Sequence, residues 1–116
     1  MKLRELVFCS TAFLLTISAP ASAATASAKG SKLFQSRCVM CHGTDGTGNT
    51  PAGNAFKVVS YRNPAVMKMS DADLTAIISN GKNRMPAYVD RLDAVDIQSL
   101  VAYIRTLQGS NPQPSR

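Results

Sequence analysis

Apolar residues recur at helical spacing in three stretches of the chain, and the polar residues around them mark where each starts and stops. The clearest lies near the C-terminus. Ile97, Leu100, Val101, Ile104 and Leu107 step by threes and fours, which puts them on one face of a helix. Asp93 stands at its N-cap with Asp96 three residues on, Leu92 and Ile97 form the matching hydrophobic staple, and Gly109 ends it. A second helix opens at Ser70, with Asp73 in the capping-box position and Met69 and Leu74 as the staple. Leu74, Ile77 and Ile78 make its apolar face, and Asn80-Gly81 closes it. A third runs from Gly30 to Cys41, with Gly30, Phe34, Cys38 and Cys41 on one face. The small residues Ala24 to Ala28 before it read as a frayed start.

Between these helices the hydrophobic period is lost. Residues 43–53 read GTDGTGNTPAG, four glycines and one proline, and predict a loop. Residues 55–66 predict irregular structure, with Val58, Val59 and Tyr61 of buried character and Pro64 as an interruption. Lys82 to Pro86 predicts a further loop. No run alternates as a strand and no segment repeats. The chain therefore predicts an all-α domain of about three main helices with long loops.

The N-terminus carries a different pattern. Lys2 and Arg4 precede an apolar run over about 6–17, followed by Ala19-Pro20-Ala21-Ser22-Ala23. Positive start, short apolar core and small-residue cleavage site predict a secretory signal peptide over residues 1–23, with Ala26-Ser27-Ala28 as a second cleavage site. The apolar run is short for a transmembrane helix; an uncleaved membrane anchor is the other reading. Cys9 lies within this leader. Cleavage leaves one domain over 24–110 and a Pro-rich tail over 111–116. The 116-residue chain has a formal charge of +6, which falls to about +5 when Lys2, Arg4 and Glu5 leave. No dense basic block and no tryptophan supports nucleic-acid binding. A domain this small has a small core and is often helped by a bridge, a metal or a cofactor.

Chemistry concentrates in Cys38-Val39-Met40-Cys41-His42. Structural zinc takes four ligands, usually from two pairs, and His42 is the only histidine of the chain. A redox C-x-x-C usually opens a helix after a strand; here the pair ends a helix with no sheet around it. C-x-x-C-H is the attachment signature of c-type haem. Two residues between the cysteines set the sulfurs to the two vinyl groups on one edge of the porphyrin, and the next residue is directed at the iron. Cys38 and Cys41 are then covalent anchors for one haem c, and His42 the fifth ligand of its iron. Export agrees, since bacteria make this attachment outside the cytoplasm.

The sixth ligand follows by elimination. Met40 lies on the strap between the cysteines, and Met67 and Met69 flank a helix start where packing explains them. Met85 lies in a loop, and Pro86 pushes it towards an extended conformation. Met85 is the expected ligand, with Met69 or an open site as alternatives.

Gly30-x-x-x-Phe34, the C-x-x-C-H motif, Asn80-Gly81-Lys82-Asn83-Arg84-Met85-Pro86 and Leu100-Val101-x-Tyr103-Ile104 follow in an order and spacing that resemble the small class I c-type cytochromes. The resemblance covers nearly all of the chain after the leader. It implies a cytochrome c fold in which Gly30 and Phe34 meet Leu100, Tyr103 and Ile104. It also implies that the Pro51 carbonyl accepts the Nδ1 proton of His42, a plain turn proline being the other reading. Tyr61 and Arg62 are candidate donors to a haem propionate, with core packing and solvation as their bland alternatives. The long glycine-rich segment after His42 and the absence of tryptophan depart from common members.

These residues imply a soluble periplasmic one-electron carrier, not an enzyme, working as a monomer. His and Met ligation saturates the iron, and methionine favours its ferrous state. Lys57, Lys82 and Arg84 either rim the exposed haem edge for redox partners with acidic faces or are ordinary solvated charge. A haem subunit of a larger periplasmic dehydrogenase or oxidase is one alternative. A sensor or peroxidase-like protein with an open sixth site is another.

Overall fold

A computed structural model describes residues 21–109. Nearly all of the expected leader, Cys9 included, and the tail over 111–116 lie outside these residues. Six helices follow in order: α1 (Ala21–Arg37), α2 (Val39–His42), α3 (Pro51–Phe56), α4 (Pro64–Met67), α5 (Asp71–Asn80) and α6 (Ala94–Gly109). Among the described residues the only β pairing is an isolated bridge between Lys82 and Met85.

The frame is the crossing of α1 and α6. Gly30 is buried, and a Cβ there would fall on the Ser99 carbonyl oxygen and stand 2.9 Å from the Cβ of Tyr103. Only a glycine lets the two backbones approach this closely. Phe34, one turn on, is fully buried at 0% exposure and meets Tyr103 edge-on, with ring centroids 5.3 Å apart at 58°. Ile97, Leu100, Val101, Ile104 and Leu107 are all buried, as their spacing predicts. Lys29 and Asp96 add an ion pair at 2.6 Å across the crossing.

Helix α5 starts as the sequence indicates. Ser70 Oγ accepts from the Asp73 N–H at 3.1 Å, and Asp73 Oδ2 accepts from the Ser70 N–H at 2.9 Å, a complete capping box. Asp93 Oδ1 caps α6 by accepting from the Asp96 N–H at 2.7 Å. Leu74 and Ile78 are buried, while Ile77 is only half-buried.

Two expectations are corrected. Residues 24–28 are helical rather than frayed: the alanine-rich stretch has the highest intrinsic helix propensity and continues α1 outward from the crossing. The segments read as loop and irregular chain hold α3 and α4. Each opens with a side-chain cap followed by proline: Thr50 accepts from the Gly53 N–H before Pro51, and Asn63 accepts from the Ala65 N–H before Pro64.

Candidate functional site

The two cysteines and the histidine sit on one tight strap between the end of α1 and the glycine-rich loop. The Cys38 N–H donates to the Phe34 carbonyl at 2.9 Å, so the chain leaves α1 without losing its helical sense. The His42 N–H then donates to the Cys38 carbonyl at 2.9 Å, and the Gly43 N–H to that of Val39 at 2.8 Å. Cys38, Cys41 and His42 therefore share a single helical turn, and both thiols are free. Thr50 ties the following loop back to this strap. Its hydroxyl donates to the carbonyls of Met40 at 2.8 Å and Cys41 at 3.2 Å.

Facing the strap is a cavity of about 500 Å³. Cys38, Cys41 and His42 line it from one side and Met85 from the loop after α5. Tyr61, Leu74, Ile77, Ile78 and Ile104 form its apolar walls. Ile77 is half-exposed because its side of α5 faces this cavity rather than the packed core. Arg37, Lys57, Lys82 and Arg84 also line it, and no acidic side chain does.

Burial shapes the chemistry of the strap. It pushes the Cys38 thiol up to about 11, against small opposing help from Arg37, so the group is a neutral thiol near neutral pH. It pushes His42 below its ordinary value, favouring the neutral imidazole, the form that binds metals. His42 lies against Tyr61, with ring centroids 4.9 Å apart and planes within 20°.

Met85 is held by its own turn. Its N–H donates to the Lys82 carbonyl at 2.9 Å, and its carbonyl accepts from the Lys82 N–H at 3.1 Å. Asn83 takes a left-handed φ of 54° to close the turn. Gly81 makes the return possible: its φ is 74°, and a Cβ there would stand 2.6 Å from the Met85 carbonyl oxygen. Arg84 lies over the Phe56 ring at 5.7 Å, which joins the turn to the end of α3.

Sequence reasoning located Cys38, Cys41, His42, Tyr61 and Met85, and the fold brings all five to one cavity. One expected contact is not formed. The His42 Nδ1 is buried without a hydrogen-bond partner, so the expected bond to the Pro51 carbonyl is not made. Pro51 is instead exposed as the first residue of α3, placed by the Thr50 cap. Arg62 is not part of the cavity lining; its guanidinium donates to the Asp45 carbonyl at 3.5 Å in the glycine-rich loop. Tyr61 does line the cavity, but it is buried at 9% exposure under His42. Of the remaining methionines, Met69 lines the cavity and Met67 does not, while Met40 points to solvent at 77% exposure.

Tyr88 was missed. Its hydroxyl donates to the Arg37 carbonyl at 3.3 Å, so it bridges the segment after Met85 to the end of α1 along the cavity wall. An aromatic two residues after Pro86 was the available signal.

Two free thiols in one helical turn, a neutral imidazole beside them, a methionine on another wall, apolar sides and a cationic lining fit a c-type haem with its two carboxylates. Comparison with known proteins agrees. A family model described as cytochrome c oxidase, cbb3-type, subunit III matches residues 25–104. The chain belongs to this family, among the small monohaem c-type cytochromes. Cytochrome c6 of Thermosynechococcus vestitus is 34% identical over 105 residues, covering 90% of this chain and 91% of that protein. The cbb3-type cytochrome c oxidase subunit FixP of Bradyrhizobium diazoefficiens is 36% identical over 86 residues, 71% of this chain but 28% of that protein. Among solved structures, the KustC0563 c-type cytochrome has a TM-score of 0.63 at 26% identity, over 68% of this chain and 96% of that one. Membership gives the chain a c-type haem and a role in electron transfer, not catalysis.

Proposed function

We propose that the chain is an extracytoplasmic one-electron carrier whose haem is joined through Cys38 and Cys41 and ligated by His42 and Met85. The observation that carries this reading is the single cavity lined by all four residues. When bound, the group supplies reversible one-electron chemistry at its iron. The chain's own residues do the rest. Cys38 and Cys41 offer free thiols for two thioether bonds, and burial keeps His42 neutral with its lone pair available. Tyr61, Leu74, Ile77, Ile78 and Ile104 exclude water. Arg37, Lys57, Lys82 and Arg84 line the cavity as cations that can meet the propionates or steer an acidic redox partner. No helix among the described residues is long and apolar enough to cross a membrane.

The test is expression with c-type haem maturation. Haem should stay with the chain on a denaturing gel and be lost in the Cys38→Ala, Cys41→Ala double variant. The oxidised protein should show the far-red band of methionine–iron ligation, lost in Met85→Ala and kept in Met69→Ala. An unchanged oxidised spectrum in Met85→Ala would exclude Met85 as the ligand.

The similarity to FixP favours a second reading, a haem subunit of an oxidase complex. Gel filtration of a native extract separates the two, because a free carrier elutes near its monomer mass.

A further inference from the structure

The buried stripe of α6 does not end in apolar residues. Gln108 follows Leu107, four residues on from Ile104, and is buried at 9% exposure. A buried amide is costly unless it is hydrogen-bonded. Here both ends are bonded. The Nε2 donates to the Tyr61 carbonyl at 3.2 Å in the interior, and the Oε1 accepts from Arg105 Nη1 at 2.8 Å. The same guanidinium donates through Nε to Asp71 Oδ1 at 2.8 Å and through Nη2 to the Met69 carbonyl at 2.7 Å. A guanidinium has only donors and a carbonyl only accepts, so these two partners dictate which way the amide points.

On its far side Tyr61 lies flat against His42. In ligating histidines the second ring nitrogen is the usual handle that fixes the imidazole plane. That handle is unused here, since His42 Nδ1 makes no hydrogen bond. The ring plane rests on Tyr61 instead.

We infer that Gln108 is a positioning residue for His42: it anchors Tyr61 to α6, and Tyr61 sets the plane in which the imidazole is presented. Arg105 holds the Gln108 amide in the orientation this requires. The inference rests on the proposed ligation by His42. The plane of an axial imidazole controls the anisotropy of a low-spin ferric centre, which is read in its electron paramagnetic resonance g values and in the spread of the haem-methyl proton resonances.

The experiment uses the haem-loaded full chain. Gln108→Glu keeps an acceptor for Arg105 and removes the donor to Tyr61; Gln108→Leu removes both. Both variants should keep covalent haem and the far-red band while shifting the g values and the methyl pattern. Tyr61→Leu should shift them as well, and adding Gln108→Leu to it should shift them no further. Variants that melt earlier but keep the wild-type spectra would overturn the inference, leaving Gln108 a structural residue. Additive shifts in the double variant would overturn the route through Tyr61. Should Gln108→Leu not mature, Gln108→Glu and Arg105→Lys give the same readout, the latter with a smaller shift because the planar fork is lost. Wild-type protein without covalent haem or the far-red band would instead sink the ligation reading itself.

Discussion

The α1–α6 crossing and the cavity wall are built by different means. The crossing is close packing: the Gly30 backbone against that of Ser99, Phe34 against Tyr103, and a continuous buried stripe on α6. The segments that carry Cys38, Cys41, His42 and Met85 into the cavity are placed mostly by hydrogen-bonded turns: the helical strap, the Thr50 tie, the left-handed turn at Asn83 and the return at Gly81. Packing supplies stability and tolerates little change of volume. Turn geometry supplies placement and carries little burial. Damage to the first region should therefore appear in global stability, and damage to the second in ligation.

The largest expected effect breaks the crossing. Phe34→Ala removes a fully buried ring and should cost about 3–5 kcal/mol, a large share of the ~5–15 kcal/mol typical of a domain; urea unfolding measures it. Next is Gly81→Ala. Its φ of 74° and ψ of 170° suit glycine alone and would cost a side chain about 1–3 kcal/mol, but the new Cβ meets the Met85 carbonyl, so the far-red band should weaken far more than stability does. A fall in stability with the band unchanged would erase the distinction between the two regions. Ser70→Ala removes the α5 cap and should cost about 1 kcal/mol, read as a lower melting temperature with unaltered ligation.

The smallest effect concerns pH. The Lys29 hydrogen bond to Asp96 raises the lysine above its ordinary 10.5 and lowers the aspartate below its ordinary 3.8. The contribution from Lys29 is full below 10.5 and lost as pH rises through its folded value. The contribution from Asp96 is full above 3.8 and lost as pH falls through its folded value. Lys29 is exposed and Asp96 only partly buried, so the change is small. Lys29→Met should flatten both arms of the stability–pH curve and leave the middle nearly unchanged.

The same contrast explains what could be read from the residues. Helices α5 and α6 have several turns of periodicity and side-chain caps, so Ser70, Gly81 and Asp93 mark their bounds well. Helices α3 and α4 are six and four residues long, too short for a period, and their Thr-Pro and Asn-Pro starts resemble turn signals. Cys38, Cys41 and His42 were legible because the proposed covalent attachment demands a fixed spacing. The Pro51 contact was not, because where a carbonyl points depends on a fold that spacing does not encode. Gln108 escaped notice because a polar residue at the end of an apolar stripe looks like the stripe stopping.

The crossing also bears on the acidity of the thiol strap. Its two halves lie at opposite ends of the domain in sequence, with the thiol strap between them. Cys38 shares a small void with Leu100 and Ile104, so part of what buries it arrives only with α6. Closing contacts this distant along the chain carries a loop-closure cost that slows folding. Until they form, Cys38 has its ordinary solvated acidity; afterwards burial raises it from 9.0 to about 11, a roughly 100-fold drop in thiolate at a given pH. Docking of α6 thus disfavours the Cys38 thiolate, and thiol chemistry at Cys38 is easier in a chain whose two ends are apart.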